Sequence, residues 1–171
     1  MGLLTQLDFT TKPANAFQRR LQGAASSAWA GSMLSRTLSP LDRASFKLTH
    51  GRHTAASVLA GLPVIMLTTT GAKTGRDRTM PLLGVPIDEN VAVIGSNFGG
   101  ASTPGWVHNL EANPSATVSY RDREVAVTAR QADGDEIERA FDLASAVYGA
   151  FPAYRERAAH REIRVFILEP A

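Results

Sequence analysis

The chain contains no cysteine and no long apolar run, and each absence excludes a class of protein. Without cysteine there can be no disulfide, thiolate nucleophile, iron–sulfur cluster or cysteine-ligated zinc, and such a composition fits a cytoplasmic protein. No window of about 18 apolar residues occurs, so a membrane-spanning helix is excluded. The first ten residues lack the apolar stretch of a signal peptide, so we expect no secretion.

Acidic residues are scarce in the first third of the chain. Up to residue 60 there are seven Lys and Arg but only two Asp, whereas the remainder has eleven basic and fourteen acidic residues. A basic segment attracts an anionic ligand or membrane surface, although a solvated face without a partner fits equally well. The apolar spacing of 13–36 predicts an amphipathic helix, and we favour docking on the core over contact with a membrane. We therefore expect a basic helical extension over 1–60 and the main domain over 61–171.

Short apolar and β-branched segments separated by turns fill the main domain. We predict strands over 64–70, 80–87, 91–96, 116–120, 124–130 and 163–168. Two inserted helices are predicted over 105–112 and 133–150, the first with Thr103 as N-cap and Pro104 as first helical residue. Five or six strands, many joined as hairpins, predict the α+β class with a mostly antiparallel sheet curled into a small barrel. A doubly wound parallel sheet would need a helix between most strands.

The segment 71–78 is the strongest candidate for a ligand site. It combines glycines with three basic side chains and a hydroxyl, namely Lys73, Thr74, Arg76 and Arg78. Glycines let backbone N–H groups point at an anion, and guanidinium groups bind phosphate through two parallel hydrogen bonds. The spacing is not that of a Walker A loop. On composition alone, a solvated basic hairpin loop is the alternative.

A second glycine-rich connection, 95–101, contains Ser96 and Asn97 between a strand and a helix. Its glycines would let the backbone approach a flat ligand closely. Trp106 and Asn109 lie about one helical turn apart and are further candidates for ligand contact. Alternatively, the connection 95–101 is a turn without a ligand, and Trp106 is a core residue.

Other chemistries find no support in the sequence. His50 and His53 lack the remaining ligands of a zinc shell, so we predict no metal site. A Gly-x-Ser-x-Gly nucleophile motif is absent. The basic residues are not interleaved with aromatic ones, so we expect no nucleic-acid partner.

Several motifs occur in a recognisable order. These are LTTTGAKTGRDR at 67–78, PL at 81–82, GS at 95–96, PGWVHNLEANP at 104–114 and ILEP at 167–170. Together they resemble the deazaflavin (coenzyme F420)-dependent nitroreductase and quinone reductase family over about residues 62–170. The resemblance implies a split β-barrel of the FMN-binding type and a deazaflavin-binding domain over 61–171.

The resemblance also implies roles for individual residues. Deazaflavin coenzyme F420 carries a phosphate and several carboxylates in its tail, and the family's Lys and last Arg of the basic motif, here Lys73 and Arg78, hold that tail. The positions of Pro81, Leu82 and Ser96 correspond to segments that lie against the deazaflavin ring.

The nitroreductase branch uses three tyrosines near the C-terminus to form its substrate pocket. Here only Tyr154 is kept, whereas Phe151 and Arg157 replace the other two. We expect Tyr154 and Ser96 to serve the catalytic step, and the acceptor to be quinone-like, nitroaromatic or another activated unsaturated small molecule.

Two other functions stay open at this point. The chain could be a split-barrel reductase using FMN, which also carries a phosphate, or a non-catalytic carrier of deazaflavin or lipid. Split barrels often pair, so a homodimer is expected, and the basic helix would permit peripheral contact with the inner face of a membrane.

Overall fold

A curled antiparallel sheet forms the centre of the computed structural model, which describes residues 1–11 and 62–171. Its strands are β1 Val64–Thr70, β2 Asp77–Leu83, β3 Val85–Ile87, β4 Asn90–Ile94, β5 Ser115–Tyr120, β6 Arg123–Gln131 and β7 Val165–Pro170. They lie in the order β2-β1-β5-β6-β7-β4-β3, and every neighbouring pair is antiparallel. The prediction of an α+β, mostly antiparallel split barrel is thus confirmed.

Four helices accompany this sheet in the described residues. They are α1 Leu3–Gln6, α2 Gly105–Ala112, α3 Gly134–Val147 and α4 Phe151–Arg157. An Asp133–Glu136 capping box starts α3, which satisfies N–H groups that have no partner inside the helix. The predicted helix 13–36 lies outside the described residues, as do His50 and His53.

Strands β4 and β7 are buried on both faces and separate two apolar layers. In β4, Val91 and Val93 pack into the layer inside the barrel, whereas Ala92 and Ile94 pack against α3 and α4. Side chains alternate between the faces of a strand, so a strand covered on both sides is apolar throughout. This explains the uninterrupted run of Val91 to Ile94.

The N-terminus contributes to the inner layer, which the sequence did not predict. Leu3 and Leu7 of the first segment are 0% and 1% exposed and pack with β1, β4 and β7. The N–H of Leu4 donates to the carbonyl of Glu89 at 3.0 Å, and the Tyr120 hydroxyl donates to the carbonyl of Thr10 at 2.9 Å. Leu3 and Leu7 are therefore part of the barrel core. The domain boundary at residue 60 stays a prediction.

Several predicted boundaries were wrong. The strand expected over 80–87 is broken at Gly84, where a Cβ would meet the ring of Phe9 at 3.0 Å and Ile65 at 3.1 Å. The helix expected over 133–150 ends at Val147, and a further helix, α4, follows it.

The start of α2 also differs from the prediction. Pro104, not Thr103, is the N-cap residue of α2, and no side chain caps this helix. Seven strands are present instead of five or six.

Candidate cofactor site

The basic loop between β1 and β2 has a defined backbone shape. Gly71 donates to the carbonyl of Arg76 at 2.8 Å and accepts from the N–H groups of Thr74 at 3.1 Å and Gly75 at 2.7 Å. Gly75 has φ of +63°, a conformation that glycine adopts without steric cost. The Thr74 hydroxyl accepts from the N–H of Arg76 at 3.4 Å, so it helps to shape the turn.

Three cations of this loop have no polar partner in the described part of the chain. The side chains of Lys73, Arg76 and Arg78 are exposed, and their charged groups form no hydrogen bond or ion pair with residues 1–11 or 62–171. By contrast, Arg130 and Arg155 each form ion pairs with carboxylates. The segment 12–61 contains a single acidic residue, Asp42.

Uncompensated positive charge on a glycine-shaped loop suits an anionic group. Within 71–78 only Asp77 carries negative charge, so the loop has a net positive charge. A phosphate or several carboxylates would supply the missing counter-charge through charge-assisted hydrogen bonds. The residues present therefore fit the acidic tail of a deazaflavin cofactor.

Asn109 of α2 holds this loop in place. Its side-chain oxygen accepts from the N–H of Ala72 at 3.0 Å, and its amide nitrogen donates to the hydroxyl of Thr69 at 2.9 Å. Thr69 is 1% exposed and ends the buried part of β1. The amide of Asn109 thus orders the basic loop through two hydrogen bonds. Its contact with a ligand stays a prediction.

The glycine-rich connection after β4 adopts a strained conformation. Asn97, Phe98 and Gly99 form a single 3-10 turn and have φ of +48°, +54° and +77°. A bulky residue such as Phe98 costs about 1–2 kcal/mol in the left-handed region. The side chain of Asn97 stabilises the turn by donating to the carbonyl of Ser102 at 3.0 Å.

Ser96 lies at the start of this turn and is 6% exposed. Its hydroxyl makes no hydrogen bond to the described part of the chain, whereas its backbone N–H donates to the carbonyl of Ile94 at 2.9 Å. The structure therefore places the predicted Ser96, itself buried, at the start of a partly buried turn.

Arg161 fixes the same connection and was missed in the sequence. Its guanidinium donates to the carbonyls of Gly95 at 3.1 Å, Ser96 at 2.9 Å and Gly100 at 3.2 Å. Burial lowers the pKa of Arg161 below its ordinary value, but arginine stays charged at neutral pH. No sequence signal distinguishes Arg161 from the neighbouring arginines, because its three partners lie more than 60 residues away.

Tyr154 lies in an aromatic cluster on α4 and is 2% exposed. Its hydroxyl is 3.0 Å from that of Tyr148, and its ring contacts Phe98 edge-on at 5.8 Å. The guanidinium of Arg157 lies 5.0 Å above the Tyr154 ring. Burial raises the pKa of both phenols, so both hydroxyls are protonated at neutral pH. A second tyrosine, Tyr148, thus joins the predicted Tyr154.

The remaining predicted residues lie around these two segments. Pro81 and Leu82 are half-buried on β2, paired with Met66 and Ile65 of β1. Pro81 has no N–H to donate, which β2 tolerates because it is an edge strand. Trp106 is 4% exposed and packs on Phe166, which favours the core alternative for this residue.

Helix α2 links the two candidate segments. Near its start, Val107 packs so closely on Gly95 that a Cβ there would lie 2.9 Å from the valine side chain. In its middle, Asn109 binds the basic loop. One short helix therefore fixes both the basic loop and the connection that carries Ser96.

Known proteins resemble this chain in sequence and in fold. Residues 43–170 match the family described as F420H(2)-dependent quinone reductase. The chain belongs to this family. The match confirms the family resemblance and begins before residue 61, so it includes the end of the basic extension.

A curated relative from Mycobacterium tuberculosis, named as an F420H(2)-dependent quinone reductase, is 37% identical over 68 residues. This match spans 40% of the present chain and 46% of the relative, so less than half of that reductase is covered.

Two solved structures share the fold. A structure described as an F420-H2 dependent reductase is 36% identical, with a TM-score of 0.57, and the match covers 63% of this chain and 94% of that one. A structure described as a domain-swapped dimer is 32% identical, with a TM-score of 0.60, over 82% of this chain and 97% of the other.

Two negative observations concern the described residues alone. Among 1–11 and 62–171, no helix is long and apolar enough to cross a bilayer. The same residues contain no group of His, Asp or Glu side chains arranged to hold a metal ion.

Proposed function

We propose that this protein is a reductase that binds deazaflavin coenzyme F420 and transfers a hydride from its reduced form to a quinone-like acceptor. The observation that carries the proposal is the exposed loop of Lys73, Arg76 and Arg78, whose charges are uncompensated in the described residues. Membership of the quinone reductase family supports the same cofactor and acceptor.

In this proposal the basic loop binds the acidic tail of the cofactor. Lys73 and Arg78 contact its phosphate and carboxylates, Arg76 adds positive charge, and Thr74 keeps the turn in shape. Asn109 orders the loop in advance, which lowers the entropy lost on binding. Pro81, Leu82 and Ser96 stay predicted contacts of the ring, and Asn97 and Trp106 stay predicted contacts of the cofactor.

The bound cofactor supplies the hydride, and the chain supplies binding, orientation and a proton. Reduction of a quinone to a hydroquinone consumes one hydride and one proton. The hydroxyl of Tyr154 is protonated at neutral pH, as a phenol ordinarily is, and burial raises its pKa further. We propose that Tyr154 holds this proton. The hydroxyl of Tyr148 lies 3.0 Å from that of Tyr154, so a proton can pass between the two tyrosines.

Cofactor binding is tested by fluorescence titration of the protein with coenzyme F420, FMN and heme in parallel. We expect F420 to bind most tightly. The Lys73→Ala/Arg78→Ala double variant should lose about 2–4 kcal/mol of F420 affinity, an increase in Kd of about 30-fold to 1000-fold, because two charge-assisted contacts are removed.

A matched control removes two other exposed arginines, Arg121 and Arg123. Among the described residues, their guanidinium groups donate hydrogen bonds to neutral groups of the N-terminal segment, at Thr10 and Gln6. The control double variant has the same net charge as the loop variant, so it corrects for general electrostatic attraction. Equal loss of affinity in both double variants would show that the loop is not the binding site.

Turnover is tested by supplying reduced F420 with menadione and following the cofactor spectroscopically. Consumption of the reduced cofactor is expected, whereas binding without consumption would identify a carrier. Tyr154→Phe should lower kcat and leave the Kd for F420 unchanged. Unaltered kcat in this variant would disprove the proton-donor role.

We also propose a homodimer and a cytoplasmic location, with peripheral membrane contact through the basic extension as a further expectation. A similar structure is described as a domain-swapped dimer, which supports pairing of this chain. Light scattering on the purified protein measures its mass directly, and fractionation of cells shows where it resides.

A further inference from the structure

Arg157 of α4 lies between Tyr154 and the connection after β4. Its guanidinium is 5.0 Å from the centre of the Tyr154 ring and donates to the carbonyl of Phe98 at 3.3 Å. A Cβ placed on Gly99 would lie 2.8 Å from the Nε of Arg157 and 2.9 Å from its Cβ, so the side chain packs closely on that glycine. These contacts hold the positive charge of Arg157 beside the Tyr154 ring.

The groups around the Tyr154 hydroxyl have opposite effects on its acidity. Burial raises the pKa of Tyr154, whereas the hydrogen bond with Tyr148 and the charge of Arg157 lower it. Arg157 also lowers the pKa of Tyr148, against the larger effect of burial. Because its guanidinium contacts the ring of Tyr154, the anion of Tyr154 is the one that it favours within this pair.

No other charged group acts on the two tyrosines within residues 1–11 and 62–171. The parts of β3, β4, β7 and α3 that share their cluster contribute apolar side chains. The connection contributes none either, since no ionisable residue occurs between Gly95 and Thr103. In such surroundings a single cation affects the ionisation of a neighbour more than it would at an exposed surface.

We propose that Arg157 is the positioning residue of the proposed proton donor: it holds the Tyr154 ring against the connection after β4 and stabilises the tyrosinate that remains once the proton has gone to the acceptor. The inference rests on the proposed function and assigns the counter-charge of its proton-transfer step.

Electrons and protons balance in this step. A quinone that accepts a hydride, with its two electrons, from the reduced cofactor carries negative charge on one oxygen. The O–H bond of Tyr154 breaks, its electron pair stays on the phenol oxygen, and the proton forms the new O–H bond of the hydroquinone. Tyr148 then donates a hydrogen bond to the tyrosinate, and water returns the proton.

Fluorine NMR of protein labelled with a fluorinated tyrosine tests the inference without turnover. The chain contains three tyrosines, Tyr120, Tyr148 and Tyr154, so each resonance is assigned by replacing one of them with phenylalanine. Fluorination makes a phenol more acidic, which brings its titration closer to neutral pH. Arg157→Met should raise the midpoint of the Tyr154 titration by about one pH unit or more and leave that of Tyr120 in place.

Arg155→Met is the matched control. Arg155 lies on the same helix and also contacts an aromatic ring, that of Phe141 at 4.5 Å, but it forms its ion pair with Glu138. The midpoint of Tyr154 should therefore stay within about 0.3 pH units of the parent value in this variant.

Two further variants separate the charge of Arg157 from its packing. Arg157→Lys keeps the positive charge and should restore most of the midpoint, whereas Arg157→Gln should behave like Arg157→Met. Should Arg157→Met fail to fold, the comparison of Arg157→Lys with Arg157→Gln still decides the question. Equal Tyr154 midpoints in these two variants would refute the inference.

Turnover of menadione with reduced F420 connects the titration to the reaction. Arg157→Met should lower kcat about fivefold or more, because the tyrosinate has lost its counter-charge. A purely structural role would lower the melting temperature and leave the Tyr154 midpoint unchanged, which would overturn the inference while the proposed function stands. If the parent protein does not consume reduced F420 at all, the proposed function fails and the inference fails with it.

Discussion

Asn109 is the residue whose replacement tests the architecture of the basic loop most directly. Its side chain joins the N–H of Ala72 and the hydroxyl of Thr69, at 3.0 and 2.9 Å. Asn109→Ala removes both hydrogen bonds. It also leaves the Thr69 hydroxyl, in a residue 1% exposed, with only a 3.5 Å contact to the carbonyl of Arg78.

The expected loss of stability follows from these contacts. Each hydrogen bond contributes about 1 kcal/mol net, and a poorly satisfied buried hydroxyl costs about 1 kcal/mol more. Alanine recovers about 0.6 kcal/mol through its higher helix propensity. The free energy of unfolding should therefore fall by about 2 kcal/mol, which lowers the melting temperature by about 4–8 °C in a chain of this size.

Circular dichroism melts and urea denaturation measure this change. His108→Ala is the matched control, since His108 lies on the same helix, its side chain is 59% exposed, and its polar partner among the described residues is Glu111. The control gains about the same helix propensity. Loss of its exposed contact with Glu111 lowers the free energy of unfolding by about 0.5 kcal/mol or less. Melting temperatures within 1 °C of each other in the two variants would refute the loop contact.

A double-mutant cycle with Thr69→Val isolates the contact between the two side chains. Coupling of about 1 kcal/mol between Asn109→Ala and Thr69→Val is expected, because both remove the same hydrogen bond. Strict additivity would mean that the two side chains do not interact in solution. The affinity for F420 should fall in Asn109→Ala as well, since the loop is no longer ordered before binding.

Three further perturbations test the rest of the fold. Gly99→Ala should destabilise the protein by more than about 2 kcal/mol, because Gly99 has φ of +77° and an added Cβ would meet α4 at 2.8 Å; Gly134→Ala, with open space around it, should be neutral or stabilising in the same urea assay. Leu3→Ala should cost about 2–4 kcal/mol if the 0% exposed side chain is part of the core, and a loss under 0.5 kcal/mol would contradict that placement. Arg130 lowers the pKa of Glu136 to about 2, so Glu136→Gln should cost up to about 1 kcal/mol at neutral pH. This difference should diminish as the pH falls from about 4.5 towards 2, whereas a pH-independent difference would rule out the ionic contribution.

Local patterns in the sequence were sufficient to predict most strands and helices and the basic loop. Strand β1 was predicted with its actual bounds, and the β5–β6 hairpin was predicted to within a residue or two. Alternation, turn residues and charge are properties of neighbouring residues, so they can be read without knowledge of the fold. The close approach of Phe9 to Gly84 could not be predicted in this way, because it joins distant parts of the chain.

The sequence by itself determined that a cationic loop follows an apolar, β-branched strand, and the order of its motifs indicated the family. Only the tertiary structure decided which residues hold that loop and the connection after β4, and which residues enter the core. Asn109 reaches the loop across 37 residues, Arg161 reaches the connection after β4 across more than 60, and Leu3 enters the core from the other end of the chain. Contacts of this range are set by strand order and not by local propensity. The charge of the candidate site can therefore be predicted from the sequence, whereas its shape depends on the fold.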